Sequence, residues 1–221
     1  MDTKSTDFPF PIIELDKVQF SSELNTMAEL KTLQRSKIEG KTVGLGMQKH
    51  TDYPRWAYMQ KLVEKSKSLL DVGVGAGEFV NSIAMSGKVK KIVGVDYKQH
   101  SRYTRHSDNY DMITADISNF KMFGDNEFDT TVCMEVIEHL PDGVMEKGIA
   151  EVRRVTSGTL YMSVPFEEPE PIFRGHHQRY TRERITSLFP NANIELLYSE
   201  KAAAQSKGYC PIALITEESQ N

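Results

Sequence analysis

Between residues 66 and 165 the chain alternates short apolar runs with stretches of helical periodicity. The runs are "SLLDV" at 68–72, "KIVGV" at 91–95, "YDMIT" at 110–114, "FDTTVC" at 128–133 and "GTLYMSV" at 158–164. Runs this short, rich in β-branched residues and separated by helical segments, read as parallel strands with crossovers, so helices cover both faces of one sheet. The end of the chain changes rhythm. "ANIELLYSEK" and "GYCPIALITEE" are two strand-like runs joined by a short, mostly polar segment, expected to pair antiparallel at one edge of the sheet. The pattern predicts an α/β fold with a mostly parallel seven-stranded sheet and a C-terminal antiparallel hairpin.

Before residue 66 the pattern is helical. Phe20, Leu24, Met27, Leu30 and Leu33 recur at three and four positions, which predicts a helix over 20–39 with one apolar stripe. A glycine-loosened loop then leads into a second helix near 54–66. The chain divides accordingly into an N-terminal helical extension or lid, 1–65, and a main domain, 66–221.

Composition narrows the function classes. At 221 residues, 39% hydrophobic and 26% charged, the chain is of a size to bury one good core. Its formal charge is −4 and its pI about 5.9, with Lys and Arg dispersed, so nucleic acid is an unfavoured partner. Cys133 and Cys210 lack metal-type spacing and read as small core residues. The start "MDTKSTDFPFPIIELDK" is acidic and proline-broken, unlike a signal peptide, and no run approaches the roughly 18 apolar residues of a membrane helix. The expectation is a soluble, cytoplasmic protein without membrane insertion; its oligomeric state is open.

"LLDVGVGAGEF" sets Asp71, Gly73, Gly75 and Gly77 between the first strand of the main domain and a helix. Glycines at such a turn adopt positive φ and let a nucleotide-like ligand approach bare backbone. A dinucleotide fingerprint requires a third glycine where Glu78 stands, and a carboxylate there would face a pyrophosphate. The spacing D-x-G-x-G-x-G resembles instead that of the class I S-adenosylmethionine-dependent methyltransferases, over about residues 66–216. Their ligand carries positive sulfonium and amino groups, which an acidic loop suits.

That resemblance implies a Rossmann-like fold, S-adenosylmethionine as cofactor, and further ligand-binding positions. Asp96, ending "VGVD", matches the acid that accepts the ribose hydroxyls. Asp116 in "TADIS" matches the position that holds the adenine amino group, with Ile117 beside the ring; Met134 also falls among the cofactor-binding positions. Read alone, Asp96 stabilises a turn and Asp116 caps a helix.

"VCMEVIEHLPDG" follows the fourth strand of the main domain, at the carboxyl edge where open α/β sheets keep ligands. If a helical turn starts there, Glu135, Glu138 and His139 project from one face. After the fifth, "VPFEEPEPIFRGHHQRYTRERI" brings His176 and His177 to the same edge, ahead of a helix with Thr181 as its cap. Two readings stay open. Glu135, Glu138, His139 and His176 hold a divalent cation such as Mg, Mn, Fe or Zn; or the site is metal-free, with His139 or His176 as base or orienting group. The E-x-x-E-H string with a histidine 37 residues on is similar to that of the small-RNA 3′-end 2′-O-methyltransferases, where the resemblance implies Mg or Mn, and to the ubiquinone-pathway O-methyltransferases. His139, Glu135 and His176 are the candidate catalytic residues.

The expected activity is O-methylation of a hydroxyl-rich small molecule or a sugar. The alternatives are methylation of an RNA 3′ end and a non-catalytic cofactor-binding scaffold. His50, Tyr53, Arg55, Trp56 and Tyr58 in the extension, and Phe173, Arg174 and Arg179 after the fifth strand, are candidate walls and anion contacts for the acceptor. Trp56 and Tyr58 read equally as packing residues.

Overall fold

Leu69 and Leu70 are both fully buried, yet they belong to different hydrophobic clusters. Successive strand side chains point to opposite faces, so a sheet covered on both sides needs apolar residues in near-continuous runs. Ile92 and Val93, and Val132 and Cys133, divide in the same way. The computed structural model that shows this describes residues 8–18 and 51–219; the helix expected over 20–39, and His50, lie outside the described residues.

Eight strands make the sheet: β1 Ile12–Glu14, β2 Ser68–Val72, β3 Lys91–Asp96, β4 Asp111–Thr114, β5 Phe128–Met134, β6 Thr156–Pro165, β7 Asn193–Tyr198 and β8 Ile212–Glu218. Their order is β1-β7-β8-β6-β5-β2-β3-β4. All neighbours pair parallel except β8, which is antiparallel to both β6 and β7. The five helices of the described residues are α1 Asp52–Val63, α2 Glu78–Ser86, α3 Asp142–Val155, α4 Arg182–Leu188 and α5 Glu200–Gln205. Met59 and Val63 of α1 and Phe79, Val80 and Ile83 of α2 build the core on one face; Met145, Ile149 and Val152 of α3 and Ile185 of α4 build it on the other. Each such buried side chain stabilises by about 1.5–3 kcal/mol relative to exposure.

The expected α/β architecture is present, with two differences. The sheet has an eighth strand: β1 pairs with Leu196–Tyr198, so the C-terminal hairpin lies inside the sheet and β1 forms the edge. Asp16 ties this segment down, accepting hydrogen bonds from Ser199 Oγ at 3.0 Å and Lys201 N at 3.2 Å. Three residues after a proline are too few for a periodicity signal. The polar joint of the hairpin also carries a short helix, α5, whose N-cap Ser199 accepts from Ala202 N at 3.1 Å.

Strand order reverses between β2 and β5, which pair with Asp71 opposite Val132 and Val72 opposite Cys133. The loops leaving these two strands therefore diverge to opposite sides and open a crevice at the carboxyl edge.

Candidate active site

Gly73, Gly75 and Gly77 all have positive φ, at 82°, 58° and 94°. A side chain on Gly73 would place its Cβ 2.2 Å from Val136 Cγ2, and one on Gly77 would lie 2.9 Å from Asn81 Nδ2 and 3.1 Å from the Thr104 carbonyl. At Gly75 the nearest atom would be 3.9 Å away. The first and third glycines thus serve close packing; the open space lies over Gly75. Gly75 N–H donates to Asp96 Oδ2 at 2.8 Å, which fixes that carboxylate beside the loop.

A cavity of about 200 Å³ lies against this loop, lined by Asp71, Gly73, Gly75 and Met134 and closed by Asp52, Arg55 and Trp56 of α1. Asp71 is buried, and desolvation, with Asp96 adding repulsion, pushes its carboxyl up to about 7. Asp116 is exposed and accepts from Ser118 N and Ser118 Oγ, both at 2.8 Å; it closes a turn, and no helix starts there for it to cap. The side chain of Ile117 is buried in the core, where a Cβ on Gly148 of α3 would meet it at 3.2 Å. Neither Asp116 nor Ile117 lines the cavity.

At the end of β5 the chain turns sharply. Glu135 has φ 54°, a conformation a non-glycine residue holds only against a cost of about 1–3 kcal/mol. Its N–H donates to the Ser163 carbonyl at 2.9 Å, Ser163 Oγ donates to its Oε1 at 2.9 Å, and Arg55 Nη1 lies 3.3 Å from the same oxygen. Arg55 also pairs with Asp52 at 3.2 Å. Its Nε is buried without a partner. The arginine expected to meet an acceptor therefore locks α1 to the site. Trp56 and Tyr58 pack against the core on this face of the sheet, and Trp56 also meets Tyr53 edge-on at 5.3 Å.

The next residues form a single tight turn, Ile137–His139, in place of a longer helix start. It sends Glu138 inward: the residue is 1% exposed, and neither carboxylate oxygen has a hydrogen-bond partner. Burial first, and repulsion from Glu135 second, raise its pKa well above the ordinary carboxylate range. Glu138, His139 and His176 bring ligand-type atoms within 4.8 Å of one another. Glu135, expected among the metal ligands, does not join this group; its pairing with Ser163 and Arg55 turns it aside.

The loop after β6 completes the cluster. Backbone N–H groups of His177 and Gln178 donate to the Glu138 carbonyl at 2.7 and 3.1 Å, and Gln178 Nε2 donates to the Leu140 carbonyl at 2.9 Å. His139 Nδ1 lies 2.9 Å from the Gly175 carbonyl, and His176 Nδ1 lies 2.7 Å from Glu168 Oε2. Each imidazole therefore donates through Nδ1 and keeps Nε2 free as an acceptor or ligand. The donor set, one orphaned carboxylate and two imidazoles, fits a divalent cation of the Mn, Fe or Zn type. Two of these parts, Glu168 and the Arg55–Glu135 pair, escape a reading by motif. "EEPEP" follows a strand at the carboxyl edge, and its position there is the available signal for Glu168.

Comparison with known proteins bears on the fold and on the glycine-loop half of the sheet. The family model described as "Methyltransferase domain" matches residues 69–158. A ubiquinone biosynthesis O-methyltransferase of Hydrogenovibrio crunogenus is 33% identical over 86 residues, 35% of this chain and 34% of that protein. The matched stretch thus spans about a third of the curated relative. Among solved structures, an S-adenosylmethionine-dependent methyltransferase from Archaeoglobus fulgidus superposes with a TM-score of 0.60 at 14% identity, covering 80% of this chain and 100% of that one. The methyltransferase domain of bacterial CtHen1 gives 0.56 at 16%, covering 77% and 98%. A Burkholderia thailandensis 1,6-didemethyltoxoflavin-N1-methyltransferase gives 0.57 at 14%, covering 88% and 87%. The glycine loop at the strand-order reversal, the family model over residues 69–158 and the fold lead to one conclusion: this stretch of the chain matches a methyltransferase domain, set in the fold that S-adenosylmethionine-dependent methyltransferases share.

Proposed function

We propose that the protein transfers the methyl group of S-adenosylmethionine to a hydroxyl of a small, hydroxyl-rich acceptor, with Glu138, His139 and His176 holding a divalent cation at the acceptor side. The observation that carries this reading is Glu138. A carboxylate 1% exposed with both oxygens unpartnered is costly, by several kcal/mol, unless a cation or a proton accompanies it. Two imidazoles with free Nε2 atoms beside it favour the cation.

The cation, when bound, would polarise the acceptor hydroxyl and ease loss of its proton. The chain's own groups do the rest. Asp96 and the open backbone at Gly75 hold the nucleoside part, as the family resemblance implies, and Asp71 places acid near the cationic end of the cofactor. Met134 lines the same cavity at the mouth of β5. The acceptor oxygen bonds to the methyl carbon as the carbon–sulfur bond breaks, and the hydroxyl proton has to leave. With both imidazoles committed as ligands, Glu135 is the group to receive it: Ser163 and Arg55 engage Oε1 only, and Oε2 is left.

A neutral polyol suits the site better than an RNA end. The turn and the loop that carry the two histidines also carry Glu135, Glu138, Glu167, Glu168 and Glu170, and Arg55 and Arg179 are engaged by internal partners. The deciding experiment supplies methyl-labelled cofactor and fractionated cell extract to chelator-treated protein, with and without added Mn or Mg. Label entering hydroxylated small molecules only when the cation is restored is the expected result. Full transfer without metal removes the cation from the reading, and label in RNA replaces the acceptor class.

A further inference from the structure

Both oxygens of the Glu168 carboxylate are engaged inside its own loop. Oε2 accepts from His176 Nδ1 at 2.7 Å and Oε1 accepts from Phe173 N at 2.9 Å. The two side chains are 12% and 11% exposed, so the pair is shielded from water. The Glu168 carbonyl also accepts from Arg179 Nε at 2.8 Å, fixing the backbone that carries the acid. The His176 ring stands between Phe173, at 5.2 Å and 60°, and His139, at 4.8 Å and 69°, and these walls hinder its rotation.

We infer that Glu168 is a positioning residue of the cation site: it holds His176 in the Nδ1–H tautomer, so that Nε2 presents a lone pair to the cluster with Glu138 and His139. The inference rests on the cation reading of the site. A carboxylate is required for the task because only it can accept from Phe173 N–H and His176 Nδ1–H at once. An amide in its place offers one oxygen. If that oxygen stays with Phe173, the amide NH₂ faces Nδ1 and drives the ring to the Nε2–H tautomer, which cannot ligate through Nε2.

The test compares wild type, Glu168→Gln and Glu170→Gln. Glu170 lies in the same loop, is exposed, and contacts Arg179 only at 3.8 Å, so its variant removes the same charge without touching His176. Two quantities are read: the tautomer of His176 from its imidazole ¹⁵N shifts, and Mn²⁺ affinity by calorimetry. S-adenosylhomocysteine affinity serves as the check of folding. Glu168→Gln is expected to move His176 to the Nε2–H form and weaken Mn²⁺ binding about 10–100-fold, while Glu170→Gln matches wild type. Unchanged tautomer and affinity in Glu168→Gln, or equal losses in Glu170→Gln, overturn the inference. If wild type takes up no Mn²⁺, the cation reading fails, and the tautomer comparison still decides whether Glu168 orients the ring. Should Glu168→Gln not fold, Glu168→Asp reads the same quantities, since it keeps the charge but withdraws it from Nδ1 by one methylene. Wild-type values in Glu168→Asp would equally overturn the assignment.

Discussion

Arg55 Nη1 lies 3.3 Å from Glu135 Oε1, joining the first described helix to the turn that ends β5. The guanidinium is 6% exposed and the carboxylate 25%, so the pair is largely withdrawn from water. Removing Arg55 leaves the Glu135 carboxylate without its counter-charge. Arg55→Ala is expected to cost about 2–4 kcal/mol in urea unfolding, and Arg55→Lys to recover less than half of it, because an ammonium cannot span Asp52 and Glu135 as the guanidinium fork does.

Asp96 is expected to serve the cofactor and the loop at once. Asp96→Ala removes the acceptor for Gly75 N–H as well as the ribose contact the resemblance implies. Calorimetry with S-adenosylhomocysteine should show binding weaker by about 100-fold or more, each lost charged hydrogen bond contributing about 1.5–3 kcal/mol. Asp96→Asn keeps one oxygen for Gly75 and should fall between; unchanged affinity in both variants would remove the ribose assignment.

Glu138 sets function against stability. Glu138→Gln is expected to raise the melting temperature of chelator-treated protein by several degrees, because an amide has no charge to desolvate, and to abolish Mn²⁺ binding. A lower melting temperature together with retained Mn²⁺ affinity would show that Glu138 serves neither purpose.

Asp71 makes the ligand-free protein lose stability as pH rises. Its pKa is about 7 in the folded state against 3.8 as reference, so between these values the folded state binds more protons than the unfolded one. Stability then falls across roughly pH 4 to 7, by up to about 4 kcal/mol at 1.36 kcal/mol per unit. Asp71→Asn should flatten that slope in unfolding curves taken from pH 5 to 8; an unaltered slope assigns the dependence to another group.

Gly73 and Val136 are coupled by packing. Gly73→Ala forces a Cβ to 2.2 Å from Val136 Cγ2 at a φ of 82° and should destabilise by about 2–4 kcal/mol. Val136→Ala in the same chain should restore the part due to the clash and leave the part due to backbone strain. Strict additivity in that double-mutant cycle would separate the glycine loop from the turn after β5.

The α/β class, the strands β2 to β8 to within two residues for most of them, and the glycine loop were legible in the amino-acid order, because each rests on local periodicity or on residues adjacent in the chain. β1 was not, since three residues carry no period and their partner Leu196–Tyr198 lies about 180 residues away. The glycines were legible as backbone requirements but not in their reasons: Gly73 answers to Val136, Gly77 to Asn81 and the Thr104 carbonyl, and of the three Gly75 leaves open space.

What the sequence by itself determined was a cofactor-binding α/β domain with two acids and a histidine at the mouth of one strand and a second histidine on the next loop. Tertiary structure decided which of them work together. Glu135 and Glu138 are three residues apart, yet a positive φ and one tight turn send the first to Arg55 and Ser163 and the second into a buried position among imidazoles. Glu168, which carries no motif, became the partner of His176 because the loop after β6 folds back on the carbonyl of Glu138. Ionisation, orientation and ligand choice depend on burial and on atoms within about 4 Å, and those are set by chain segments that meet only when the sheet is assembled.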